Sequence, residues 1–128
     1  MTDAPLQGDL QLQIMGVLWH VGEGTVEQVR AALPPRYRSA YNTVQTVLNR
    51  LTDRGLLSRK REGHAMVYRA TLSEAEYLSR AIERTLAGAS SEARQVALAR
   101  LVGAIDGEEL AELQKLAKQA QAGRARRR

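Results

Sequence analysis

Cysteine is absent from the 128 residues, phenylalanine is absent too, and tryptophan occurs once. Without thiols the chain has no disulfide, no thiolate metal site and no cysteine nucleophile. Without Phe its core must be aliphatic, and a hydrophobic content of 44% is enough to build one. Long apolar runs are missing: the longest that includes a glycine is residues 14–19, against the roughly 20 needed to span a bilayer. The opening MTDAPLQGDL has neither the basic nor the apolar region of a signal peptide, so a cytoplasmic protein is expected. The two histidines, His20 and His64, are far apart and have no ligand partners at metal spacing. His20 is expected to pack at a helix end, and no metal or cofactor is expected. No G-x-S-x-G, P-loop or dinucleotide glycine fingerprint occurs. Glu74, Glu76, Glu108 and Glu109 fall where helices start, and the helix dipole accounts for acids there. No enzymatic activity is expected.

What is there is positive charge, unevenly spread. The formal net charge is +5 and the isoelectric point about 10.1. Residues 1–35 carry one basic side chain against four acids, residues 36–69 eight against two, and residues 70–122 six against eight. Residues 123–128 add four arginines. Basic charge gathered in one segment is the footprint of a nucleic-acid face.

The apolar periodicity gives the organisation. Leu10, Ile14, Val17, Leu18 and Val21 form a stripe that predicts a helix over 9–21, stopped by Gly22 and Gly24. Thr25-Val-Glu-Gln28 has the form of a capping box and opens a short helix over 26–33, which Pro34-Pro35 terminates. Ser39 is the expected N-cap of a third helix running to Gly55. Then LLSRKREGHAMVYRA alternates by twos about Glu62-Gly63-His64, predicting a hairpin over 57–61 and 65–70. Helix, turn, helix and hairpin make a winged helix-turn-helix domain over 1–72. From Ser73-Glu-Ala-Glu76, a second capping box, the chain turns helical again, with a penultimate helix over about 92–105 and a last one from Asp106. Stripes at Leu78, Ile82, Leu86, Val96, Leu101, Val102, Ile105, Leu110, Leu113 and Leu116 exceed what the first module can cover. Residues 73–122 are therefore expected to be a helical dimerisation region, and 123–128 a disordered basic tail. The fold class expected is mainly α with a small β-hairpin wing.

The third helix, SAYNTVQTVLNRL, poses the chemical question. Val44, Val47, Leu48 and Leu51 form its apolar face, but its other face has only one charge, Arg50. Asn and Thr are mediocre helix formers, so helix stability is a poor reason for that choice. Neutral hydrogen-bonding groups suit the edges of bases in the DNA major groove. Tyr41, Asn42, Thr43, Gln45 and Thr46, near the start of the helix, are the base-reading candidates. Arg36, Arg38, Ser39, Arg50, Arg54, Arg59, Lys60, Arg61 and His64 are the candidates for holding phosphates. RNA fits less well, because no aromatic stacking platform is visible. A winged helix serving as a protein-interaction adaptor, its basic charge aiding solubility, is the alternative.

The segments LQIMGVLW, YNTVQTVLNRLTDRGLL and REGHAMVYRA resemble the penicillinase-repressor (BlaI/MecI/CopY) family of bacterial regulators. The combination M-x-V-L-W, T-V-Q-T-V-L-x-R-L and G-x-x-x-V-Y-R is fairly specific. The likeness continues weakly through YLSRAIERTL and GEELAELQKL. It implies a homodimeric winged-helix repressor, joined through its C-terminal helices, that occupies a palindromic DNA operator controlling β-lactam or cell-wall-stress genes. The copper-responsive branch carries C-terminal cysteines that this chain lacks. The β-lactam branch is inactivated by cleavage of an Asn-Phe bond in the penultimate helix, which adds a membrane sensor-protease to the implied partners. The matching positions here are Ala99 and Arg100.

Overall fold

In the computed structural model, which describes residues 8–126, the helix-stop, capping and turn signals of the sequence appear as elements. In order they are α1 (Asp9–Val21), β1 (Glu23–Gly24), α2 (Val26–Ala32), a 3-10 turn (Pro35–Tyr37), α3 (Tyr41–Asp53), β2 (Leu57–Glu62), β3 (Ala65–Ala70), α4 (Glu74–Ala87), α5 (Ser91–Ala104) and α6 (Gly107–Arg126). The chain divides into two compact units, one ending at Ala87 and the other beginning at Gly88.

Local chemistry explains most boundaries. The capping box of α2 is complete: Thr25 Oγ1 accepts from the Gln28 N–H, and Gln28 Oε1 accepts from the Thr25 N–H. Ser39 does not cap α3. The N-cap is Ala40, with no side-chain bond, and the Ser39 hydroxyl faces the Tyr37 carbonyl oxygen instead. At its other end α3 closes in a Schellman motif, in which Gly55 N–H reaches Thr52 O and Leu56 N–H reaches Leu51 O. Gly55 sits at φ +83°, which only glycine adopts without strain. The wing turns on Gly63-His64, with Gly63 at φ +63° and His64 not positive, the φ pattern of a type II′ hairpin.

β1 leaves no trace in the sequence, because two residues carry no period. It pairs with β3, so the sheet is antiparallel in the order β1-β3-β2. The core of the first unit combines Ile14, Met15 and Leu18 of α1, Val26, Val29 and Leu33 around α2, and Val44, Leu48 and Leu51 of α3. Leu56, Leu57, Tyr68 and Leu72 close it. Each fully buried aliphatic side chain contributes about 1.5–3 kcal/mol. The buried face of α1 is turned slightly from the expected stripe: Met15 is buried and Val21 is exposed. His20 is exposed as well, rather than packed.

The boundary expected at 72/73 lies later in the structure. Trp19 Nε1 donates to the Leu72 carbonyl oxygen at 3.1 Å, and its ring meets that of Tyr77 at 5.4 Å. The α4 capping box, Ser73 with Glu76, also forms. These contacts join α4 to the first unit. α6 runs on to Arg126, past Gly123, where a disordered tail was expected to begin. Arg127 and Arg128 lie outside the described residues.

Candidate nucleic-acid interface

The apolar face of α3 is sealed into the core, which fixes the direction of the opposite face. Tyr41, Asn42, Thr43, Gln45, Thr46 and Arg50 are all exposed. Helical geometry places all of them but Thr43 in two rows, one of which includes the partly buried Asn49. Tyr41, Gln45 and Asn49, four residues apart, line a groove of about 530 Å³ between α3 and the hairpin. Asn42, Thr46 and Arg50 form the adjacent row. The Thr46 hydroxyl donates to the Asn42 carbonyl oxygen at 2.9 Å, so its lone pairs and methyl group remain for any partner.

The far wall of the groove is the wing. Cross-strand pairs Arg59↔Tyr68 and Arg61↔Met66 put both arginines on the face toward α3. Arg59, Arg61 and His64 line the groove, together with Thr25, Val26 and Glu27 at the start of α2. Lys60, one residue out of phase, points to the opposite face of the hairpin, beside Glu23 and Arg69. On that face Arg69 and Glu23 make an ion pair at 2.6 Å.

The turn before α3 spends its polar groups internally. Arg38 NH2 donates to the carbonyl oxygens of Ala31 and Leu33 at 3.1 and 2.9 Å, satisfying the C-terminal end of α2. Arg30 Nε donates to Ser39 O at 2.8 Å while its NH1 reaches Glu27 at 3.5 Å. The Arg36 guanidinium lies 5.0 Å from the centre of the Tyr37 ring. Of the expected phosphate ligands, Arg38 and Ser39 thus hold the turn that aims α3.

Two residues outside the expected site matter to it. Asn49 Oδ1 accepts from both Arg59 NH1 and the Tyr68 hydroxyl, each at 2.7 Å. Arg30 positions the loop into α3. The clue to the first is Tyr68 itself, since a tyrosine at an inward strand position needs a partner for its hydroxyl.

The other expected site residues lie on the later helices. Leu78 and Ile82 on α4 are exposed and Leu86 is half-buried. Val96, Leu101 and Val102 on α5, and Leu113 and Leu116 on α6, are exposed, whereas Ile105 and Leu110 are half-buried. Ala99 and Arg100 are exposed in the middle of α5. Among the described residues, no helix is long and apolar enough to cross a membrane, and no group of three metal-ligating side chains gathers.

The family model described as penicillinase repressor matches residues 7–119. The transcriptional regulator BlaI of Mycobacterium tuberculosis is 34% identical over 122 residues, which is 94% of this chain and 88% of that protein. The penicillinase repressor of Bacillus licheniformis is 30% identical over 78 residues, 61% of each chain. Among solved structures, the DNA-binding domain of the repressor BlaI matches with a TM-score of 0.51 and 30% identity. That match covers 60% of this chain and 94% of that one.

Proposed function

This chain belongs to the penicillinase-repressor family, and from that membership we propose that it is a sequence-specific transcriptional repressor. It binds a palindromic DNA operator as a homodimer. The observation that carries this reading is the exposed, nearly uncharged face of α3, aimed outward by a sealed apolar face and walled by Arg59 and Arg61 of the wing. Asn42, Thr43, Thr46, Tyr41 and Gln45 read base edges, and Arg36, Arg50, Arg59, Arg61 and His64 neutralise phosphates. Lys60 contributes charge from the far side of the wing.

Dimerisation rests on the second observation. Every buried hydrophobic side chain among the described residues lies between Ile14 and Leu72. Among the described residues, eight of the eleven exposed large hydrophobics lie between Leu78 and Leu116, with Leu101 reaching 55% exposure. Helices that bury so little in one chain gain most from a second copy. Retardation of random duplex at low salt, then of the DNA upstream of the protein's own gene, tests the reading. Binding that shows no preference for any genomic fragment at moderate salt overturns it.

Relief of repression by a membrane sensor-protease, in genes of β-lactam or cell-wall stress, is the finer form of the proposal. Cleavage within 96–102 of α5 would separate α6 from the rest of the stripe. A protease built for Asn-Phe meets Ala99-Arg100 here, so the cut falls at another bond in that stretch. Mass spectrometry of the protein from β-lactam-treated cells decides: an intact chain on a derepressed promoter removes the proteolytic form.

A further inference from the structure

Asn49 belongs to the uncharged face of α3, yet its carboxamide oxygen is fully used. Arg59 NH1 and the Tyr68 hydroxyl both donate to Oδ1 at 2.7 Å, and an amide oxygen has two lone pairs. Tyr68 is 2% exposed, anchored in the core. Arg59 is its direct cross-strand partner, so both side chains leave the same face of the hairpin. One neutral oxygen on the recognition helix therefore fastens the wing at two points and holds a guanidinium over the groove. The neutrality has a consequence. An Asp at this position would fasten the same two donors but cancel the charge of Arg59, whereas Asn fastens the arginine and leaves its charge for an anion.

We propose that Asn49 is a positioning residue for DNA binding: it reads no base, and acts through Arg59 by presetting that cation, at full charge, to take a backbone phosphate beside the recognition helix. This rests on the DNA-binding reading above. Holding the side chain in place beforehand spares the ordering cost that a free arginine meets on binding, an effect of about two- to tenfold in affinity.

The test measures affinity of the full-length protein for a random-sequence duplex across a salt series. The variants are Asn49→Ala, Arg59→Ala, the double variant, Asn49→Asp and Tyr68→Phe, each with a thermal melt. Arg59→Ala is expected to lower the salt slope by about one. Asn49→Ala should weaken binding about two- to tenfold in the wild-type background and not at all in the Arg59→Ala background. Asn49→Asp should lower the slope as Arg59→Ala does, with its melt retained. Tyr68→Phe, which leaves the Arg59 bond in place, should lower the melt and leave the slope unchanged.

An Asn49→Ala loss of equal size in both backgrounds overturns the proposal and makes Asn49 a purely structural residue. A loss seen on the protein's own promoter but absent on random duplex also overturns it, by making Asn49 a base reader. Wild-type protein that binds neither DNA overturns the DNA-binding reading itself, a result distinct from both.

Discussion

At the scale of single residues, the exposed row Asn42, Thr46 and Arg50 of α3 predicts two kinds of variant, one neutral and one charged. Asn42→Ala should cost about 1–3 kcal/mol on the operator and far less on random duplex, because a base contact is lost. Arg50→Ala should weaken both alike and lower the salt slope by about one, as loss of a phosphate contact does. Fluorescence titration on both duplexes over a salt series separates these outcomes, and identical behaviour would refute the assignment of roles. Thr46 adds a finer distinction. Its hydroxyl hydrogen is committed to the Asn42 carbonyl oxygen, so it can meet a base only through its lone pairs or its methyl group. Thr46→Val, which keeps a methyl, is expected to retain more operator affinity than Thr46→Ala. The hydrogen-bond state of these residues was illegible in the sequence. Thr46, Arg38 and Asn49 are all polar letters there, and only the fold reveals which groups are already spent.

At the scale of elements, caps and turns decide how α3 is presented. Thr25 caps α2, and Thr25→Ala is expected to destabilise the first unit by about 1 kcal/mol in a denaturant titration. The same box at the start of α4 leaves an electrostatic mark. The Ser73 backbone N–H, then the Ser73 side chain, hold the Glu76 carboxyl below its ordinary value of 4.5, with a smaller contribution from Arg80. A carboxyl lowered on folding stabilises above its unfolded value and loses that effect as pH falls through the folded one. The first turn of α4 should therefore loosen only below pH 4.5. An NMR titration should find the Glu76 carboxyl ionising below that value, and Ser73→Ala should return it part of the way. The helices differ in how visible they were. α3 shows a clean stripe in the sequence; α5 keeps Leu98, Leu101 and Val102 on one face but puts Val96 on the other, and the cap at its start, Ser90 Oγ accepting from the Ala93 N–H, appears only in the structure.

For the whole molecule, the expectation is a division of labour between a DNA-reading unit and apolar helices that pair copies. A fragment ending at Ala87 should fold, because Trp19, Leu72 and Tyr77 keep their contacts. One ending at Leu72 loses the Tyr77 ring and should melt lower. Both should bind a two-half-site operator far more weakly than the full chain, since linkage of two half-sites supplies an avidity gain of about 10²–10⁴. Light scattering checks the premise: a full-length monomer at micromolar concentration would dispose of the dimer. Half-sites spaced about 10 base pairs apart, or a multiple, are expected from two copies docking on one side of the duplex.

The order of the helices and the hairpin, the capping boxes and the polar face of α3 are all legible in the chain alone. Each of these depends on residues within a few positions of one another, where periodicity and local hydrogen bonding leave a direct trace. The family likeness of its motifs was also visible, and the match over residues 7–119 bears it out. Meetings of residues far apart in the chain emerge only on folding. Glu23 with Arg69, Trp19 with Leu72, and Asn49 with Arg59 and Tyr68 are of this kind. So are the two-residue strand β1, too short to carry a period, and the side of the wing on which Lys60 falls. Register and side-chain direction in a sheet follow from which strands pair, and that pairing is chosen by burial of the whole core rather than by any local pattern.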